Sequence, residues 1–262
     1  MIKNNFINHK TIINSLSKFG KSGPYDHCVI DNFFNKKIAI QLEREFPDFH
    51  SNIWHQYNNP IEVKKVCNNW NVFPSLTYQV FDYLNSEAFL RTLRSVIFKK
   101  KKLYSDVGLN GGGWHIHRQG GKLNTHLDYS LHPKLGLQRK LNIIIYLNSN
   151  WKKEWDGNLG LWSNESDEKP GKLIKEIEPK FNRAILFDTT QNSWHGLPKP
   201  LKCPKNEFRK SIAVYYLCDS PKNVNKRGKA LFAPTKNQIN KQEVLDLIKK
   251  RSDIKTASST YK

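Results

Sequence analysis

The chain has 262 residues, a formal net charge of +20 and 38% hydrophobic residues, enough for one substantial core. No apolar run approaches the roughly 20 residues of a membrane helix, and the opening stretch, residues 1–19, lacks a secretory h-region and a small-residue cleavage site. Cys28, Cys67, Cys203 and Cys218 are dispersed without Cys-x-x-Cys spacing and read as reduced thiols of a cytoplasmic protein.

Taken in chain order, the first predicted element is a short strand over 29–34. It leads into a helix capped near Asn35, in which Ile38, Leu42 and Phe46 share one face and which Pro47 ends. Residues 52–70 are polar, aromatic and weakly periodic, which predicts a long loop. Two helices follow, over 75–84 and 87–98, the second capped by Ser86. The cluster Lys99-Lys100-Lys101-Lys102 then sits where cations favour the end of a helix dipole, a solvated helix end. The remaining positive charge is mainly lysine spread along the chain, so a polyanionic partner is not favoured, although clustered cations are what nucleic acid selects.

From residue 104 the pattern turns to strands. Leu141 to Asn148 is a β-branched run bounded by polar residues, residues 156–162 read as a turn entering a strand, and residues 178–187 as a turn and a buried strand. A last apolar strand opens at Arg209 and runs through Ser211 to Leu217. Beyond it, Lys226-Arg227-Gly228-Lys229 is a basic turn, residues 240–243 carry a capping-box pattern ahead of a C-terminal helix with Val244, Leu245, Leu247 and Ile248, and residues 256–262 should fray. The chain divides into helical and loop support (1–103), a β core (104–218) and a C-terminal extension (219–262) of a single domain.

The residues that carry chemistry lie in the β core. His126 and Asp128 are two apart, so on a strand they project the same way and can hold one ion. A lone His-x-Asp is a weak signal in a chain with nine histidines. His195, brought back by a later strand, would complete two imidazoles and one carboxylate, the facial set that suits non-haem Fe(II) oxygenases. Arg209 offers a planar guanidinium for bidentate pairing with a carboxylate, and Ser211 follows on the same strand face. His115 and His117 form a second pair two apart, preceded by three glycines and without a carboxylate beside them, which reads as barrel lining near cofactor or substrate. Trp194 points away from His195 and is expected to pack.

These motifs, His126-x-Asp128, Tyr146-Leu147-Asn148 with Trp151, Gly157-x-Leu159, residues 178–181, His195-Gly196-x-Pro198 and Arg209-x-Ser211, resemble the 2-oxoglutarate- and Fe(II)-dependent dioxygenases of the prolyl 4-hydroxylase-like branch. The resemblance spans residues 104–218. It implies a mainly β fold with supporting helices around a double-stranded β-helix of the jelly-roll or cupin type. It further implies that His126, Asp128 and His195 bind iron and act in catalysis, that Arg209 pairs with the distal carboxylate of 2-oxoglutarate, and that Tyr146 bonds the same carboxylate. Ser211, Asn142 and His117 complete the expected cofactor pocket. The implied cofactors are Fe(II), 2-oxoglutarate and O2, with ascorbate admitted. The implied reaction hydroxylates an unactivated C–H bond and converts 2-oxoglutarate to succinate and CO2, acting on a prolyl residue or on a small amino-acid or sugar-linked metabolite. Tyr57, Lys64, Lys65, Trp70 and Arg139 are candidate substrate contacts from bordering loops. The competing readings are a non-enzymatic basic β-sandwich that binds nucleic acid and an oxygenase that acts on it.

Overall fold

The computed structural model describes residues 6–98, 102–225, 227–253 and 255–260. Lys99 to Lys101 of the lysine cluster, Lys226 of the basic turn and the last two residues lie outside that description. Among the described residues no helix is long and apolar enough to cross a membrane, and all four cysteines are free thiols.

Helix α1 (His9–Leu16) opens the chain in a stretch with no strong apolar signal; Asn8 caps it, accepting the Thr11 N–H at 3.3 Å. Strand β1 (His27–Ile30) and helix α2 (Lys36–Arg44), N-capped at Asn35, follow as expected. Residues 52–70 do not form the expected loop. They fold into a hairpin of β2 (His55–Asn58) and β3 (Glu62–Cys67), turned at Asn59, whose side chain accepts the N–H groups of Ile61 and Glu62 at 3.0 Å, and then a 3-10 turn at Trp70–Val72. The hairpin ends the sheet with its side chains mostly half-buried, so it never developed the apolar alternation that marks a strand.

Helices α3 (Ser75–Asn85) and α4 (Glu87–Val96) match expectation, and the Ser86 hydroxyl accepts the Phe89 N–H at 3.3 Å. The strands that follow are β4 (Tyr104–Ser105), β5 (Gly113–His117), β6 (Lys122–Leu123), β7 (His126–Leu127), β8 (Gln138–Tyr146), β9 (Leu159–Ser166), β10 (Lys169–Ile177), β11 (Ala184–Asp188), β12 (His195–Gly196), β13 (Arg209–Cys218) and β14 (Leu231–Phe232). Helix α5 (Gln242–Ser252) closes the chain. Its N-cap is Lys241, without a side-chain cap bond, so the capping box read at 240–243 does not form. Ala257–Thr260 winds into a 3-10 turn with Ala257 buried, where fraying was expected.

Two antiparallel sheets result. The larger runs β1-β11-β8-β13-β5-β3-β2, with β4 added to β13 and β6 to β3; the smaller runs β10-β9-β12-β7-β14. Period-2 alternation decides what each face meets. On β8 and β13, Leu141, Ile143, Ile145, Ile212, Val214 and Tyr216 pack with Val80, Phe81, Leu84, Phe89 and Leu93 of α3 and α4. Burying such side chains contributes on the order of 2 kcal/mol each. The intervening residues, Asn142, Ile144, Arg209, Ser211, Ala213 and Tyr215, together with His115 and His117 of β5, turn the other way and line a cavity. This is a double-stranded β-helix braced by helices on one side.

Candidate functional site

The cavity, of about 220 Å³, is lined from both sheets and holds His126, Asp128 and His195 together. His126 on β7 and His195 on β12 are directly opposed across the strands, with ring centroids 4.3 Å apart, and Asp128 follows β7 by one residue. The two imidazole Nε2 atoms lie 3.8 Å from Oδ1 and Oδ2 of Asp128, and one ligand atom from each of the three residues falls within 4.8 Å of the others. All three are buried.

Each imidazole is fixed by its other nitrogen. Nδ1 of His126 lies 3.0 Å from the Asn124 carbonyl and Nδ1 of His195 lies 2.8 Å from the Ser193 carbonyl. A carbonyl only accepts, so Nδ1 carries a proton and Nε2 is the nitrogen left to face Asp128 and a metal, the arrangement that metal-binding histidines use. Burial, and then the neighbouring His195, hold His126 well below the usual imidazole range and so neutral. Burial pushes the Asp128 carboxyl up, but His195, Arg139 and His126 outweigh it and leave Asp128 below its ordinary value. The donor set therefore fits a divalent iron: two imidazoles, each held at Nδ1 by a backbone carbonyl, and one carboxylate, gathered at a common point.

The carboxylate has its own supports. Tyr215 Oη and Asn142 Nδ2 stand 3.4 Å from its two oxygens, and Arg139 Nη1 stands 3.5 Å from Oδ1. Arg227 donates from Nε and Nη2 to the Asp128 backbone carbonyl at 3.2 and 3.0 Å. Arg139 is not the loop contact expected from its place after 129–138. It is fully buried, stacked between the rings of Tyr129 and Tyr215 at 3.3 and 3.4 Å, and donates to the Asn110 carbonyl at 2.5 Å. Along β13, Tyr216 pairs with Leu141 but Leu217 pairs with Arg139, so Lys140 is an extra residue in β8. That bulge reverses the alternation and turns Arg139 toward the cavity, a change that spacing in the sequence could not reveal.

Arg209 opens β13 and is buried against the cavity. Its Nε donates to the Gly157 carbonyl at 2.8 Å, and its guanidinium carbon lies 4.8 Å from the Tyr146 ring centroid. Gly157 has φ +86°, and a Cβ there would meet Arg209 Cδ at 3.0 Å, so the glycine leaves room for the guanidinium. Ser211 pairs with Tyr146 on one side and His115 on the other, and His117 pairs with Arg209, so four of the five expected pocket residues adjoin, while Asn142 lies further along β8 opposite Tyr215 and beside Asp128. Asn142 Oδ1 and both His117 ring nitrogens are buried without a hydrogen-bond partner among the described residues, and the Tyr146 hydroxyl meets the Arg209 guanidinium. Orphaned polar atoms around one guanidinium fit a dianionic keto acid that would supply what they lack.

The remaining expected contacts divide. Tyr57 and Lys64 line this cavity, whereas Lys65 donates to the Phe49 carbonyl at 2.9 Å and sits outside it. Trp70 packs on Phe73, Tyr78 and Phe81 and donates to the Val107 carbonyl at 2.9 Å, so it supports the helices rather than the site. Trp194 is buried as expected, bonding Asn164 Oδ1 at 3.0 Å.

Residues 112–217 match the 2OG-Fe(II) oxygenase superfamily. Prolyl 3-hydroxylase OGFOD1 of Mus musculus is 21% identical over 207 residues, which is 74% of this chain and 33% of that protein. The chain thus spans about a third of the length of that curated relative. Among solved structures, a Pseudomonas putida prolyl-4-hydroxylase superposes with TM-score 0.56 at 12% identity, covering 82% of this chain and all of that one. A prolyl 4-hydroxylase from Phytophthora capsici gives 0.51 at 17% identity, covering 93% and 77%. Residues 112–217 are thus similar in sequence to the 2OG-Fe(II) oxygenase superfamily, and the fold around them is the one these prolyl 4-hydroxylases share.

Proposed function

We propose that this chain hydroxylates an unactivated C–H bond, with His126, Asp128 and His195 as the iron ligands and Arg209, Tyr146 and Ser211 holding the distal carboxylate of 2-oxoglutarate. The observation that carries the reading is the convergence of two Nδ1-anchored imidazoles and one carboxylate within 4.8 Å. Iron and 2-oxoglutarate supply the oxidising chemistry there, using O2 and yielding succinate and CO2. Residues 104–218 carry that chemistry, and the flanks brace and rim it within one domain.

The protein's own part is orientation and shielding. Asn124 and Ser193 hold the two imidazoles in one tautomer, while Tyr215, Asn142 and Arg139 hold the carboxylate rotamer. Arg209 is held at Nε by Gly157, which leaves its terminal nitrogens to pair with a carboxylate, and Tyr146 has a hydroxyl to donate. Ile144, Leu159, Leu197 and Phe232 form apolar walls that limit water at the reacting position. The prolyl hydroxylases among its relatives favour a prolyl residue as substrate; a small amino-acid or sugar-linked metabolite is the other class that the cavity admits.

Succinate release from 2-oxoglutarate under Fe(II) and oxygen tests the reading, with uncoupled turnover measured first. Turnover that survives Asp128→Ala would reject it.

A further inference from the structure

We propose that the mouth of the cavity contains a subsite for an anionic group of the substrate, a carboxylate or a phosphate, built by Lys64, Lys229 and Arg251 around Tyr57. The proposal rests on the oxygenase reading for what is bound, but its geometry is independent of the metal ligands.

The three cations arrive from separate elements: Lys64 from β3, Lys229 from the segment before β14, and Arg251 from α5. None lies within residues 112–217, so the subsite is an addition of this chain's flanks to the family's core. All three line the same cavity as His126 and His195. Tyr57 lies between two of them, with Lys64 Nζ at 5.1 Å and the Arg251 guanidinium carbon at 5.7 Å from its ring centroid.

Their neutralisation is incomplete. Glu62, fully buried, takes Arg251 Nε at 3.0 Å and Lys64 Nζ at 3.4 Å. Lys229 has neither a hydrogen bond nor an ion pair with any described residue, although it is half-buried. Burial and the nearby Arg251 charge lower its pKa. With Arg251 set against Glu62, Lys64 only shares that carboxylate and Lys229 meets none among the described residues, which leaves the two lysines short of negative charge in a partly dehydrated setting, costly unless an anion completes it. Deeper in the cavity Arg209 is already assigned to the keto acid and Asp128 to the metal, so neither offers a place for a substrate anion. Lys64 lines the same cavity as His115, His117 and His126, so the subsite opens onto the reaction centre.

The test uses the protein loaded with Fe(II) and 2-oxoglutarate in the absence of oxygen, so that Arg209 is occupied. It is titrated calorimetrically at low ionic strength with inorganic phosphate, with N-acetylglutamate amide and with its neutral counterpart, N-acetylglutamine amide. The expected result is saturable binding of at least one of the two anions, not of the neutral amide, weakened at least tenfold in Lys229→Gln and in Lys64→Gln while 2-oxoglutarate affinity stays within twofold. Preference for phosphate would assign a phosphorylated substrate, and preference for the glutamate an acidic one. Equal binding of anion and neutral amide, no binding of either anion, or anion binding unchanged in both variants would overturn the subsite. Loss of 2-oxoglutarate binding in the unaltered protein, read before any anion is added, would strike the oxygenase reading instead.

Discussion

Two buried arginines sit at opposite ends of the β8–β13 ladder, and their surroundings differ in kind. At one end Arg139 is stacked on two tyrosines, bonded to the Asn110 carbonyl and facing Asp128, with its Nε left without a hydrogen-bond partner among the described residues. At the other, Arg209 is held at Nε by Gly157 and beside the Tyr146 hydroxyl, with no carboxylate facing it among the described residues. A cation set against a carboxylate and two rings of the fold stabilises the fold, whereas one buried without a carboxylate beside it is arranged for an anionic ligand. The comparison separates structure from binding within a single cavity.

The largest effect tests what both ends serve. Asp128→Ala should lower Fe(II) affinity by more than about 100-fold, since even altering a residue behind a metal ligand costs 10–100-fold. Metal content after anaerobic gel filtration reads it. Arg209→Gln comes next. With the metal retained, the dissociation constant of 2-oxoglutarate should rise on the order of 100-fold, about 3 kcal/mol for breaking a buried charge pair. An unchanged constant would remove Arg209 from the anchor.

Arg139→Met should act in the other currency. Urea denaturation of the metal-free protein should show a loss of about 3 kcal/mol, because Asp128 is left buried without its cation. A folded variant with full stability but lost 2-oxoglutarate binding would invert the comparison. Smallest is Tyr146→Phe, for which 2-oxoglutarate binding should weaken roughly 5-fold, about 1 kcal/mol, for one hydrogen bond. Stability should fall by no more than about 1 kcal/mol, because the hydroxyl meets only the Arg209 guanidinium in the folded chain.

Which residues could be read without coordinates follows from the same physics. His126, Asp128, His195, Arg209 and Ser211 lie on or beside strands whose period of two fixes which way they face, so their convergence was legible once the strands were. The long apolar strands β8, β11 and β13 and the Ser86-capped helix α4 announced themselves by β-branched runs and a cap. The β2–β3 hairpin did not, because a half-exposed sheet margin needs no apolar alternation. Arg139 was misread because a single extra residue in β8 turns it inward. The part of Arg227 was hidden for another reason: it reaches Asp128 from 99 residues away, through chain closure that no local pattern encodes.

The most direct test of the account is anaerobic titration of the Fe(II)-loaded protein with 2-oxoglutarate, followed by the visible charge-transfer absorption of the keto acid on iron. The account predicts one equivalent bound per chain, with the band absent in His126→Ala and shifted to much higher concentration in Arg209→Gln. A band that is unaffected by His126→Ala, or 2-oxoglutarate bound equally well without iron and without Arg209, would contradict it.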